Sequence, residues 1–162
     1  FSGEPTRESY MTEKPKEREE NILNKYMISQ VAWTGFYSLM LCLLFLKVPL
    51  FSSYIRQDEN SAFFMTALFA LFMFMAIFNS LNARTHSINL SSHLSGNKPF
   101  LLIMSVVFIV QSLMIYLGGE VFRTADLTVK EFIITLMLAF TVIPADIIRK
   151  LILKYKGKLK GV

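Results

Sequence analysis

Four polar side chains stand within or at the end of apolar stretches, and they are the residues best placed to do chemistry. Asn79 and Asn82 lie three residues apart at the end of FFMTALFALFMFMAIFNSLN, so a helix presents both amides on one face. Gln111 lies in the middle of a later apolar run, and Asp146 lies near the end of the last one. Unpaired polar groups are costly in hydrocarbon, so we expect each to find a partner inside a helical bundle.

Asp146 is followed by two basic residues at helical spacing. Arg149 stands at i+3 and Lys150 at i+4, and both positions lie on the same face of a helix as the carboxylate. An ion pair near the end of a helix accounts for this pattern, and a transport carboxylate is the alternative. Pro144 precedes the group, and it predicts a kink because proline lacks a backbone N–H.

Other reactive residue types are sparse. His86 and His93 share a polar stretch without Cys, Asp or Glu nearby, so we do not expect a metal site there. The single cysteine, Cys42, lies in an apolar run where we expect it to be packed, and it excludes an intrachain disulfide and a Cys-based zinc site. We find no Gly-rich phosphate loop, no Ser-His-Asp set and no HExxH motif, and we assign no catalytic or metal-binding residue.

Four long apolar runs must position these side chains. Each is close to the roughly 20 residues that cross a hydrocarbon core of about 30 Å. The chain is 53% hydrophobic and 18% charged, which is too apolar for an ordinary soluble domain. The sequence therefore predicts an all-α membrane protein in the lipid bilayer, with four transmembrane helices at 26–46, 60–83, 99–119 and 129–153.

The basic residues predict an orientation. Most of the seventeen Lys and Arg residues lie in segments 1–25, 84–98 and 146–162. The positive-inside rule then predicts that both termini are cytoplasmic, with an entry segment at 1–25 and a basic tail at 154–162. The net charge of +5 thus reflects topology, and we do not expect a nucleic-acid partner. The chain begins with Phe1 rather than Met, which suggests a processed product or a fragment.

Four motifs, in order, resemble the C-terminal membrane region of P-type calcium-transporting ATPases. MTEKPKEREENIL (11–23) is similar to the loop between helices six and seven of that family, although Lys14 replaces a proline. FNSLNAR (78–84) resembles the end of helix eight, and LMIYLGGEVF (113–122) resembles the exit of helix nine. LTVKEFIITLMLAFTVIPADIIRKLI (127–152) resembles helix ten.

The resemblance implies a larger parent, in which helices one to six and cytoplasmic domains lie upstream. That parent would use ATP and Mg²⁺ to form a phosphoaspartate and would move Ca²⁺, whereas this chain would hold no cofactor of its own. The four helices would lie in the plasma membrane and would support the ion-binding helices there. The loop residues Pro15, Lys16, Arg18 and Glu19 would lie against the phosphorylation domain.

Ala76 marks a departure from the two-calcium members of that family. Those pumps carry a ligand glutamate in helix eight, three residues before the first Asn of the Asn-x-x-Asn pair, and Ala76 occupies the matching position. Alanine has no side-chain oxygen, so the resemblance implies one calcium per cycle, as in plasma-membrane-type pumps.

Two other functions remain open from the residues themselves. One is a free-standing four-span scaffold or subunit with no enzymatic activity. The other is a small exporter of hydrophobic cations, but such carriers normally need an acidic residue inside an early span, and this sequence has none there.

Overall fold

A computed structural model describes residues 25–56, 61–84, 98–122 and 124–155. These residues form helices and connecting turns, with no strand in the described ranges. The helices are α1 (Lys25–Lys47), α2 (Pro49–Ser53), α3 (Ala62–Arg84), α4 (Lys98–Leu117), α5 (Gly119–Phe122), α6 (Val129–Phe140) and α7 (Val142–Tyr155).

Four helices are long and apolar enough to cross a membrane. They are Tyr26–Lys47, Ala62–Ala83, Lys98–Leu117 and Val129–Tyr155, the last comprising α6 and α7 in succession. The prediction of an all-α protein with four membrane-spanning helices is therefore confirmed.

Helix α3 is the centre of the bundle, because it contacts α1, α4, α6 and α7. Its most buried side chains recur every three or four residues, as a face turned toward neighbouring helices requires. Phe74 is fully buried, and its ring lies 5.1 Å from that of Phe108 on α4 and 5.6 Å from that of Phe132 on α6. The packed aromatic rings thus join three helices.

Helix α4 ends earlier than the sequence suggests, at Leu117 rather than 119. The amide of Gly118 still donates to the carbonyl of Met114 at 3.1 Å, but a Cβ on Gly118 would lie 2.2 Å from that same oxygen. The chain then turns through Gly119, whose φ of +42° favours glycine. The two glycines therefore end the helix, as predicted, and α5 begins at Gly119.

The fourth span is interrupted between α6 and α7. Thr141 lies at the junction and donates its amide N–H to the carbonyl of Leu138 at 3.2 Å, a tighter pairing than in an α-helix. Pro144 is the cause that the sequence indicates, because its ring nitrogen has no hydrogen to offer the carbonyl of Phe140 four residues earlier. The helix is thus interrupted at Thr141, three residues before the proline.

Candidate functional site

The first feature is a group of buried polar side chains at the end of the bundle where α1 begins and α7 ends. Asp146, Arg149 and Lys150 of α7 are buried, as is Asn82 of α3. Tyr26, in the first turn of α1, lies against them. We call these five residues the Asp146 cluster.

Asp146 contacts both basic residues that follow it. Its Oδ1 accepts from Arg149 Nε at 2.6 Å, and its Oδ2 lies 3.0 Å from Lys150 Nζ. The second contact is a charge contact rather than a hydrogen bond, because Oδ2 has no partner with hydrogen-bond geometry in the part of the chain that the structure describes. One carboxylate therefore faces two cations in a space with almost no solvent contact.

The remaining contacts of the cluster join three helices. Lys150 Nζ donates to the backbone carbonyl of Asn82 at 3.2 Å, which ties α7 to α3. Arg149 Nη2 donates to the hydroxyl of Tyr26 at 3.2 Å, and the guanidinium lies 4.7 Å from the centre of that ring, which ties α7 to α1. The cluster therefore acts as an interhelical fastening.

Three further hydrogen bonds join neighbouring helices to the fourth span where it is interrupted between α6 and α7. Asn82 Nδ2 donates to the carbonyl of Val142 at 3.0 Å. Trp33 Nε1 donates to the carbonyl of Ala145 at 3.0 Å, and the hydroxyl of Tyr37 donates to Thr141 Oγ1 at 2.7 Å. Side chains from α1 and α3 therefore bond to the first turn of α7 and to the junction residue where proline interrupts the helix.

The second feature is a polar group at the opposite end of the fourth span, where α6 begins. Glu131 is 2% exposed, and its Oε1 accepts from the backbone N–H of Arg56 at 2.7 Å and from Arg56 Nε at 3.2 Å. The Arg56 guanidinium also donates to the carbonyl of Asp126 and lies 4.1 Å from the centre of the Phe63 ring.

Glu131 also caps its own helix. Its Oε2 accepts from the backbone N–H of Thr128 at 2.7 Å, and Thr128 Oγ1 accepts from the backbone N–H of Glu131 at 3.4 Å. These reciprocal bonds form a capping box at the start of α6. We call Arg56, Asp126, Thr128 and Glu131 the Glu131 cluster.

The three amide side chains that the sequence indicates differ in their hydrogen bonding. Asn82 makes an interhelical hydrogen bond through its nitrogen, as described above. Asn79 is half-buried, and its buried Oδ1 has no partner in the described ranges. Gln111 is 3% exposed, and its Nε2 has no hydrogen-bond partner among the described residues either.

Ala76 lies in a groove between α1 and α3, with Asn79 one turn away. Its methyl group is exposed, and it offers no oxygen to a cation. The loop residues Pro15, Lys16, Arg18 and Glu19, and both histidines, lie outside the described residues.

The sequence analysis did not predict the Glu131 cluster, although two of its four residues, Thr128 and Glu131, form a recognisable sequence pattern. Thr-x-x-Glu before an apolar run, here Thr128 to Glu131, is the pattern of a capping box. The partner Arg56 stands 75 residues away, and no local pattern links the two. The contacts from Trp33 and Tyr37 to the fourth span, more than 100 residues apart, were missed for the same reason.

A family model described as "Cation transporting ATPase, C-terminus" matches residues 1–152. The chain is 27% identical over 149 residues to the plasma membrane calcium-transporting ATPase mca-1 of Caenorhabditis elegans, a match that covers 85% of this chain. It is 26% identical over 148 residues to the plasma membrane calcium-transporting ATPase 1 of Homo sapiens, again over 85% of this chain. These matches span only 12% of the length of each relative.

Proposed function

Because this chain belongs to the cation-transporting ATPase C-terminal family, we propose that it braces the ion-binding helices of an ATP-driven calcium pump. The observation that supports this role is the fastening of the bundle at both ends. The Asp146 cluster joins α1, α3 and α7, and the Glu131 cluster joins the segment after α2 to the start of α6. Such a bundle offers a rigid surface against which other helices can move.

The family match favours a pump domain over a free-standing scaffold or a small exporter. It covers nearly the whole chain, and the relatives are far longer proteins. We propose that the N-terminal part of the same polypeptide supplies helices one to six and the cytoplasmic domains. ATP and Mg²⁺ would bind there, with Ca²⁺ as the cargo.

Calcium is the proposed ion because the relatives are named as calcium-transporting ATPases of the plasma membrane. For the same reason we propose that the parent lies in the plasma membrane. We propose that both termini of this chain are cytoplasmic, because the distribution of Lys and Arg favours this orientation. Pro15, Lys16, Arg18 and Glu19 would then lie on the cytoplasmic side, where they could contact the phosphorylation domain.

The proposed stoichiometry is one calcium per cycle. Ala76 stands where the resemblance places a ligand glutamate of two-calcium pumps, and it has no side-chain oxygen. The number of calcium ions bound per phosphoenzyme tests this directly. One per phosphoenzyme is expected, and two would refute it.

The experiment that tests the whole proposal starts with the native polypeptide that contains the sequence KLKGV. An antibody to that sequence is used to blot source membranes, and the recognised protein is then assayed for ATP-dependent calcium uptake. A band several times larger than 18.6 kDa with calcium uptake is expected. A band at 18.6 kDa, or a large protein without uptake, would contradict the proposal.

A further inference from the structure

The Asp146 cluster contains buried polar atoms whose hydrogen bonds are incomplete. Arg149 Nη1 is a donor, and Asn82 Oδ1 and Asp146 Oδ2 are acceptors, and none of the three has a hydrogen-bond partner among the described residues. The residues that carry these atoms are at most 3% exposed. Buried polar atoms in folded proteins are almost always paired, either with other protein groups or with ordered water.

Gln30 of α1 adds a second buried donor at the same end of the bundle. The residue is 7% exposed, and its Nε2 has no partner in the described ranges. It lies four residues after Tyr26 and three before Trp33, so the three side chains share one face of α1. Tyr26 accepts a hydrogen bond from Arg149 of α7, and Trp33 donates one to the carbonyl of Ala145 of the same helix. Gln30 is therefore held at the level of the turn of α7 that carries the carboxylate.

Asn82 reaches the same turn of α7 from α3. Lys150 Nζ lies 3.0 Å from Asp146 Oδ2 and donates to the backbone carbonyl of Asn82 at 3.2 Å, so one ammonium group joins the two residues. The Asn82 side chain donates through Nδ2 to Val142, one turn before Asp146. That bond directs the amide oxygen of Asn82 toward α7 as well. Two donors, from α1 and α7, and two acceptors, from α3 and α7, therefore converge on one turn of α7.

We propose that these four atoms bind one water molecule between α1, α3 and α7. Gln30 Nε2 and Arg149 Nη1 donate to the water oxygen, and the water donates to Asn82 Oδ1 and Asp146 Oδ2. A buried water typically makes about three hydrogen bonds to polar groups that otherwise lack partners, so this set of atoms is sufficient to hold one. Gln30 thereby becomes a positioning residue that connects α1 to the Asp146 carboxylate.

The excess positive charge of the cluster makes a small anion such as chloride the competing ligand. An anion only accepts hydrogen bonds, so it would pair with Gln30 and Arg149 but would lie against two oxygens, one of them the Asp146 carboxylate. Water offers a hydrogen to each of those oxygens and adds no charge. A lipid acyl chain would leave all four atoms unpaired, at a cost in free energy. The two acceptors therefore decide in favour of water.

A cryo-electron-microscopy map of the full-length protein in lipid nanodiscs, at a resolution that shows ordered water, tests the site directly. We expect a density peak within about 3.2 Å of Gln30 Nε2, Arg149 Nη1 and Asn82 Oδ1. Direct contacts among those three atoms without a peak, or a lipid headgroup in this position, would overturn the inference. The peak and the melting temperature should not change when gluconate replaces chloride. A loss of either would assign the site to chloride and would also overturn it.

A double-mutant cycle provides a second readout, from the melting temperatures of full-length Gln30→Leu, Asn82→Leu and the double variant. The two side chains share no direct hydrogen bond in the described ranges, so the water is what couples them. Either substitution alone releases the water, and the second then has less to remove. We expect the fall in melting temperature of the double variant to be smaller than the sum of the two single falls. The bond from Asn82 to Val142 is lost with and without Gln30, so it does not contribute to the coupling.

Gln111 provides the matched control for this cycle. It is also a buried glutamine whose Nε2 has no partner in the described part of the chain, but it lies on α4, outside the cluster. The falls in melting temperature for Gln30→Leu and Gln111→Leu should therefore add. Additive falls for Gln30→Leu and Asn82→Leu would overturn the shared water. If a variant does not fold, the map of the wild-type protein still decides, and neither test depends on which ion the protein transports.

Discussion

The two polar clusters lie at opposite ends of the same membrane span and are built differently. In the Glu131 cluster one carboxylate meets one guanidinium, and the Arg56 side chain is 46% exposed. In the Asp146 cluster one carboxylate meets two cations, and all three side chains are at most 4% exposed. The ion pair of the first joins one anion to one cation and reaches solvent, whereas the second carries an excess positive charge among packed helices.

This difference indicates different roles. Glu131 accepts hydrogen bonds from two backbone amides, so its main work is to start α6 and to hold the segment after α2. Within the described residues, the Asp146 carboxylate makes its polar contacts with charged side chains, and those side chains connect α7 to α1 and α3. The Glu131 cluster therefore organises local backbone, and the Asp146 cluster organises the bundle. Substitutions at the two ends should differ in size and in salt dependence.

The largest effect is expected for Asp146→Ala. It leaves Arg149 and Lys150 buried without an anion, and removing one partner of a buried pair typically costs about 3–5 kcal/mol. We expect a large fall in the thermal stability of the detergent-solubilised full-length protein. Asp126→Asn is the matched control, because Asp126 is exposed and contributes its backbone carbonyl rather than its side chain to the Glu131 cluster. Equal stability of the two variants would contradict this account of the Asp146 cluster.

A smaller effect is expected for Glu131→Ala. The variant loses the capping box, and loss of a helix cap costs about 0.5–2 kcal/mol. The ion pair adds little because Arg56 is half-exposed and solvent weakens the attraction. Thermal unfolding should place this variant between wild type and Asp146→Ala. Thr128→Ala, which removes one side of the box, should show part of the loss, and a neutral Glu131→Ala would refute the capping role.

Asn82→Leu should cost about 1 kcal/mol, the usual size of an interhelical hydrogen bond in a membrane. The variant loses the bond to Val142 but keeps the backbone carbonyl that accepts from Lys150. Ser80→Ala is the control, because the Ser80 hydroxyl bonds to Ile77 within its own helix and otherwise meets only a methionine sulfur. If the two variants unfold at the same temperature, the fastening of the α6–α7 junction by Asn82 is not significant.

The smallest effect is expected for Arg56→Gln, at less than about 1 kcal/mol, as for other exposed ion pairs. The backbone N–H of residue 56 can still donate to Glu131, so part of the contact survives. Salt sharpens the comparison, because exposed charges are screened and buried charges much less. The difference in melting temperature between wild type and Arg56→Gln should shrink at high salt, while that for Asp146→Ala should persist. If the fall in melting temperature caused by Arg56→Gln does not depend on salt, the two clusters do not differ in the solvent screening of their ion pairs.

The fold could largely be predicted from sequence because each span must satisfy its own backbone hydrogen bonds in the membrane. Long apolar runs therefore report the four helices directly. The contacts of Asp146 with Arg149 and Lys150 could also be predicted, since helical spacing fixes i+3 and i+4 neighbours.

The interhelical contacts could not be predicted, because one sequence does not reveal which helix faces lie together. Arg56 with Glu131 and Trp33 with Ala145 each depend on how distant helices are arranged. The same limit applies to Asn79 and Asn82. Their spacing places them near one face of α3, yet one amide meets α7 and the other lines an open groove. A small rotation of α3 about its axis determines whether an asparagine side chain meets a neighbouring helix or lines a groove.

We propose that this domain supports a pump and that Asp146 is a structural carboxylate rather than a ligand of the transported ion. The most direct test is the calcium dependence of phosphoenzyme formation in the full-length Asp146→Asn protein, expressed per mole of folded protein. We expect less folded protein and a lower melting temperature, with an unchanged calcium concentration for half-maximal phosphorylation. A stable, normally abundant Asp146→Asn protein with lost or strongly shifted calcium activation would show that Asp146 is a transport carboxylate, and would contradict the account.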